Sequence, residues 1–127
     1  MNYGISKTVN LSYDQAIAKV TEALQKEGFG VLTTIDVKET LKKKLDVDFK
    51  RYVILGACNP HFAHQTLQLE ENIGLLLPCN VIVYEKDDAT VVAAFNPMSM
   101  MQLIGNRSIE KIAKDVEARL KRAIDAV

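Results

Sequence analysis

Both cysteines and both histidines of this chain fall in two short stretches, Cys58-Asn59-Pro60-His61 running on to His64, and Cys79-Asn80. Three chemistries suit such a cluster. Cys58, His61, His64 and Cys79 are soft and borderline ligands of the kind that hold zinc or copper, although Cys-x2-His-x2-His is not a standard ligand spacing. Cys58 also stands just before a predicted helix start. The free N–H groups and dipole there favour a thiolate, so Cys58 is a candidate redox thiol or nucleophile, with Cys79 to resolve it and His61 or His64 as base. No Cys-x-x-Cys accompanies it, and no acidic residue close in sequence orients either imidazole. The helix starts at Asn59-Pro60 and Asn96-Pro97 could receive a small anion or polar ligand, with Asn59 and Asn80 beside the thiols. Against these stands a structural reading, in which the cysteines fill core as small hydrophobes, the asparagines cap helices and the histidines are solvated.

The elements that must carry these residues follow from periodicity. Tyr3, Ile5, Val9 and Leu11 fall on alternate positions, as a half-buried strand requires. Ser12 and Gln15 form a capping box opening a helix with Ala16, Ile17, Val20 and Leu24 on one stripe, stopped by Gly28. Val31 to Ile35 reads as a second strand, and Asp36 with Glu39 as a second capping box before a short polar helix to about Leu45. Tyr52 to Ala57 is a continuous apolar run expected to be covered on both faces. A helix should start at Asn59-Pro60 and run to about Glu71. On it, His61, His64 and Gln68 share the side opposite Phe62, Ala63, Leu67 and Leu69. Val81–Tyr84 and Val91–Phe95 form a hairpin around Asp87-Asp88. A short Met-rich turn with Met98, Met100 and Met101 then ends at Gly105. From Ile109 to Val127 the helical apolar period is unbroken.

The expected fold is α+β: strand, helix, four strands and a long helix, with short helices inserted between strands. It is one domain, 1–127, whose mainly antiparallel sheet packs against two long helices.

Composition excludes several function classes. With 16 basic and 16 acidic residues the formal charge is zero, unlike a general nucleic-acid binder or a polybasic membrane-surface protein. Lys42-Lys43-Lys44 is read as a solvated helix face. The most apolar stretch, Ile73 to Val83, is broken by Pro78 and Asn80 and is too short to span a bilayer. Met1 to Asn10 lacks the form of a signal peptide, which with two cysteines points to a reducing, cytoplasmic setting. Asn106-Arg107-Ser108 has the form of a glycosylation acceptor but no secretory route to use it. No serine-triad order, Walker motif or Rossmann fingerprint is present.

The blocks Ile54-Leu55-Gly56-Ala57-Cys58-Asn59-Pro60 and Leu75-Leu76-Leu77-Pro78-Cys79-Asn80-Val81 resemble the signature of the domain of unknown function family number 302. The resemblance covers the chain from Tyr3 to the last helix. It implies a strand–helix–four-strand–helix domain with a curved antiparallel sheet, forming homodimers, and it brings no established activity. The leading expectation is therefore a non-enzymatic, homodimeric binding or accessory module with a small-ligand or metal site near Cys58 and Cys79, zinc being one candidate. The alternatives are a thiol-dependent enzyme using Cys58, and a structural dimer with no site at the cysteines.

Overall fold

In the computed structural model, which describes residues 2–127, the chain runs β1 (Gly4–Val9), α1 (Tyr13–Lys26), β2 (Gly30–Asp36), α2 (Val37–Leu45), β3 (Tyr52–Cys58) and α3 (Pro60–Leu69). A 3-10 segment (Glu71–Leu76) leads into the hairpin β4 (Cys79–Lys86) and β5 (Ala89–Phe95). A second 3-10 turn (Pro97–Met100) and α4 (Met101–Ile104) precede the long α5 (Arg107–Asp125). Met1, the first residue of the expected domain 1–127, lies outside the described residues. All strand pairings are antiparallel, in the order β1-β5-β4-β3-β2. The α+β class and the element order agree with the periodicity.

Local chemistry explains most boundaries. The Ser12–Gln15 box forms in both directions, each bond 3.1 Å. At α2 only half of the expected box forms: Glu39 N–H donates to Asp36 Oδ1, while the Glu39 carboxylate pairs with Lys43 at 3.4 Å instead. Lys42 likewise pairs with Asp46 and Asp48, so this triple-lysine helix is a solvated ionic face with no buried residue. Asp87, with φ 56, turns the β4–β5 hairpin. Asn106 caps α5 by accepting from Ser108 N–H, so that helix begins two residues before the expected Ile109. The α3 helix ends at Leu69 rather than at Glu71, and the chain tightens into the 3-10 segment there.

Strand alternation divides the sheet into two faces. Val9, Val53, Leu55, Val81, Val83 and Val92 join Val20 and Leu24 of α1 and Leu120, Ala123 and Ile124 of α5 in the main core. The opposite face carries two cross-strand rows, Tyr52–Tyr84–Val91 and Ile35–Ile54–Ile82–Ala93. Tyr52 and Tyr84 stack there at 5.2 Å with 9° between their planes.

The C-terminal end of α1 is where three helices are tied. Its last turn leaves carbonyls without helical partners. Glu27 O accepts long bonds from Asn59 Nδ2 (3.4 Å) and Arg119 Nη1 (3.3 Å). The Glu27 carboxylate receives two bonds from Arg122, at 3.1 and 2.8 Å. Arg119 also lies over the Phe62 ring at 5.2 Å, so α1, α3 and α5 are held at one node.

Candidate functional site

The β3–β4 register pairs Gly56 with Asn80 and Ala57 with Cys79, so the two signature blocks lie side by side. Gly56 is required by this packing. A Cβ there would fall onto Thr33 Oγ1 of β2 and within 2.9 Å of Pro78 Cγ. Glycine thus lets the Pro78 segment close over the end of the sheet, and this brings Cys79 to the cavity beside β3.

That cavity, of about 350 Å³, lies where the strand ends meet α3, the 3-10 segments and the first half of α5. Cys58 and Cys79 both line it. Phe29, Ile73, Met100 and Ile109 supply buried wall, while Ala57, Ala63 and Ala113 leave the space open by their small size. Among the described residues no charged side chain lines it. Its polar groups are largely committed elsewhere: Thr66 Oγ1 is bonded to the carbonyls of Phe62 and Ala63, and the Asn59 amide is turned to Glu27 O.

Several expected site residues are placed differently. Asn59 has the extended backbone of an N-cap, but its side chain makes no capping bond, because its amide is drawn to Glu27. Asn80 does not reach the cavity. Cys79 already belongs to β4, so the next residue points to the other face, where Asn80 lines a shallower groove of about 400 Å³ with Tyr3, Leu75 and Phe95. Leu77 and Pro78 form the wall common to both hollows. His61 and His64 are exposed on α3 and do not line the cavity, as the helical wheel predicts. The set Cys58, His61, His64 and Cys79 therefore does not converge. Among the described residues no group of three or more His, Cys, Asp and Glu side chains is arranged to hold a metal ion such as zinc. Met100 is cavity wall rather than surface, and Asn96 caps its own turn by accepting from Met98 N–H.

The thiols are held protonated. Burial pushes the Cys79 thiol up to about 11, and the neighbouring Cys58 adds to this; burial likewise raises Cys58. The Cys79 shift has a sign in stability. From its ordinary value of 9.0, the unfolded chain releases the proton first, so the native state binds more protons between pH 9 and 11. The fold should lose on the order of 2–3 kcal/mol across that window from this group. Tyr13 and Tyr52, also raised, act in the same direction at higher pH. Urea unfolding from pH 8 to 11 isolates the thiol by difference: Cys79→Ala should show a shallower alkaline decline than wild type, and equal slopes would remove the thiol from the account.

The model of the domain of unknown function DUF302 matches residues 5–127. The chain belongs to the DUF302 family. It is similar to an uncharacterized conserved DUF302 protein from Bacillus stearothermophilus, known from a crystal structure, with 31% identity and a TM-score of 0.92 over 99% of this chain and 98% of that one. A comparison with curated proteins returns no match. In this DUF302 chain the two signature blocks are thus neighbouring strand ends that frame one wall of the cavity. Among the described residues no helix is long and apolar enough to cross a membrane.

Proposed function

We propose that this DUF302 chain is a binding module, rather than an enzyme, and that its ligand is a small, neutral, apolar molecule held in the Cys58/Cys79 cavity. The observation that carries this is the cavity wall: about 350 Å³ of space, no charged lining group among the described residues, and the Thr66 hydroxyl and Asn59 amide already bonded to protein. Such a volume is within the range of small-molecule sites, which run from ~300 to ~1,000 Å³. An anion or a metal ion would lose its hydration there without gaining a counter-charge. A thiol enzyme would need Cys58 activated by an imidazole, and both imidazoles stand off the wall. The test uses N-phenyl-1-naphthylamine, a neutral dye that fluoresces in apolar surroundings, beside its anionic sulfonate analogue. One saturable site per chain, at least about tenfold tighter for the neutral dye, is the expected result. Absence of saturable binding, or preference for the anion, would refute the reading.

The module acts as a homodimer in this proposal. Support comes from the sheet face turned away from the core, whose row Ile35–Ile54–Ile82–Ala93 is apolar across four strands beside the stacked tyrosines. Ile35 is exposed and Ile54 and Ile82 are half-buried, and an apolar patch that reaches the surface in this way marks an association face. Light scattering at micromolar concentration should give twice the chain mass for wild type and the single mass for Ile82→Glu; a wild-type monomer overturns the dimer and leaves the cavity reading standing.

A further inference from the structure

The cavity opens beside an edge strand of unusual character. β2 ends the sheet order, so one side of it has no strand partner, and no loop or capping backbone bond reaches Val31 to Ile35. An unpaired edge is ordinarily blunted by charge, proline, a bulge or a covering segment, since its free N–H and C=O groups template pairing with another chain. Gly30 to Ile35 carries neither charge nor proline; the charge of β2 is at its end, where Asp36 caps α2. The opposite edge strand, β1, carries Lys7, whose ammonium binds the carbonyls of Asp125 and Val127 at 3.0 and 2.7 Å. Only one edge of this sheet is protected in that way.

The second observation is a bulge. Val31 pairs with Ala57 and Thr33 with Gly56, which leaves Leu32 as the extra residue of β2. Bulges re-aim side chains, and this one places Leu32 on the cavity wall while 68% exposed. Across the opening, α3 contributes Leu67, also on the wall and 40% exposed. An unpaired strand edge, a helix and an apolar hollow between them make the arrangement that receives an added strand. Main-chain bonds supply affinity there, and a pocket selects a side chain.

We infer that the β2 edge and the cavity together bind an extended peptide segment of another protein, which adds as a strand along Val31–Ile35 and inserts one apolar side chain between Leu32 and Leu67. This rests on the cavity reading above and names the chemistry of its occupant. The unpaired backbone of β2 asks for another backbone, and the uncharged hollow asks for a side chain such as Leu, Met or Phe. Segments rich in charge are excluded from the central position by the same desolvation that excludes ions.

The experiment titrates the full chain, labelled with 15N, with acetylated nine-residue peptides alternating Thr and Val around a central Leu, Met or Phe. A matched peptide is N-methylated along one edge. The expected result is slowed hydrogen exchange at amides of Val31–Ile35, displacement of N-phenyl-1-naphthylamine, and about tenfold or greater loss of affinity on N-methylation, since several main-chain bonds are removed. If the dye binds but no peptide displaces it or protects β2, the inference is overturned and the cavity reading survives. If neither dye nor peptide binds, the cavity reading itself has failed. If the β2 amides are already protected at micromolar concentration and lose protection on dilution, a second copy closes this edge, which also overturns the inference.

Discussion

Replacing Gly56 by alanine is expected to cost about 2–3 kcal/mol of stability and to lower the melting temperature by roughly 10 °C. The new methyl would meet Thr33 Oγ1 on one side and the Pro78 ring at 2.9 Å on the other. Neither neighbour is the free end of a flexible chain. Threonine is branched at Cβ with few rotamers, and Pro78 is a ring on the backbone that leads into β4. The strain would therefore pass to the β2 bulge and the cavity wall. Removing the Thr33 hydroxyl should return part of the loss, because Thr33 Cβ lies at 3.5 Å, an ordinary contact. Gly56→Ala combined with Thr33→Ala should accordingly be more stable than the two single effects added together. Thermal unfolding of the four proteins checks this, and a Gly56→Ala midpoint within about 1 °C of wild type would mean that this packing is not as tight as described.

Filling the cavity should separate binding from folding. Ala113 is buried on α5 and lines the hollow. A phenylalanine there would place a ring into space of about 350 Å³, where ~150 Å³ is enough to hold benzene. Ala113→Phe should keep or slightly raise the melting temperature, because ring atoms replace empty volume and gain dispersion contacts. The same variant should bind N-phenyl-1-naphthylamine about a hundredfold more weakly, equivalent to about 2.7 kcal/mol. Fluorescence titration gives the affinity and thermal unfolding the stability. Unchanged dye affinity in a well-folded Ala113→Phe would place the dye elsewhere on the molecule.

The fold was legible because its signals are local. Ser12 with Gln15, Pro60 after Asn59, Gly105 and the period of α5 each act through neighbours in sequence, and each element stands within two residues of where they indicate. The site was only half legible. Cys58 and Cys79 drew notice by residue type, and the register that unites them is fixed by strands predicted separately. Ala113 and Val116 could not be singled out. The apolar stripe of α5 is continuous, and nothing in its period says that the Leu120–Ile124 end covers the sheet while the Ile109–Val116 end overhangs the hollow. Asn59 misled through its type: an asparagine before Pro60 reads as a cap, but the carbonyl of Glu27, 32 residues earlier, claims its amide. Asn80 was lost by two residues of strand boundary. With β4 starting at Cys79 instead of Val81, alternation turns Asn80 to the other face. The metal set is not brought together for a related reason, since spacing along α3 says that His61 and His64 are neighbours but not that Cys58 and Cys79 line a cavity off their side of the helix.

The central claim, that the ligand site is the hollow between the signature strands and the first half of α5, is tested most directly by methyl NMR of the full chain titrated with N-phenyl-1-naphthylamine. The account predicts saturable shifts at the methyls of Ala57, Ala63, Ala113 and Val116, with those of Ile54, Ile82 and Val91 unmoved. Shifts confined to Ile54, Ile82 and Val91 would assign binding to the opposite face of the sheet and contradict it.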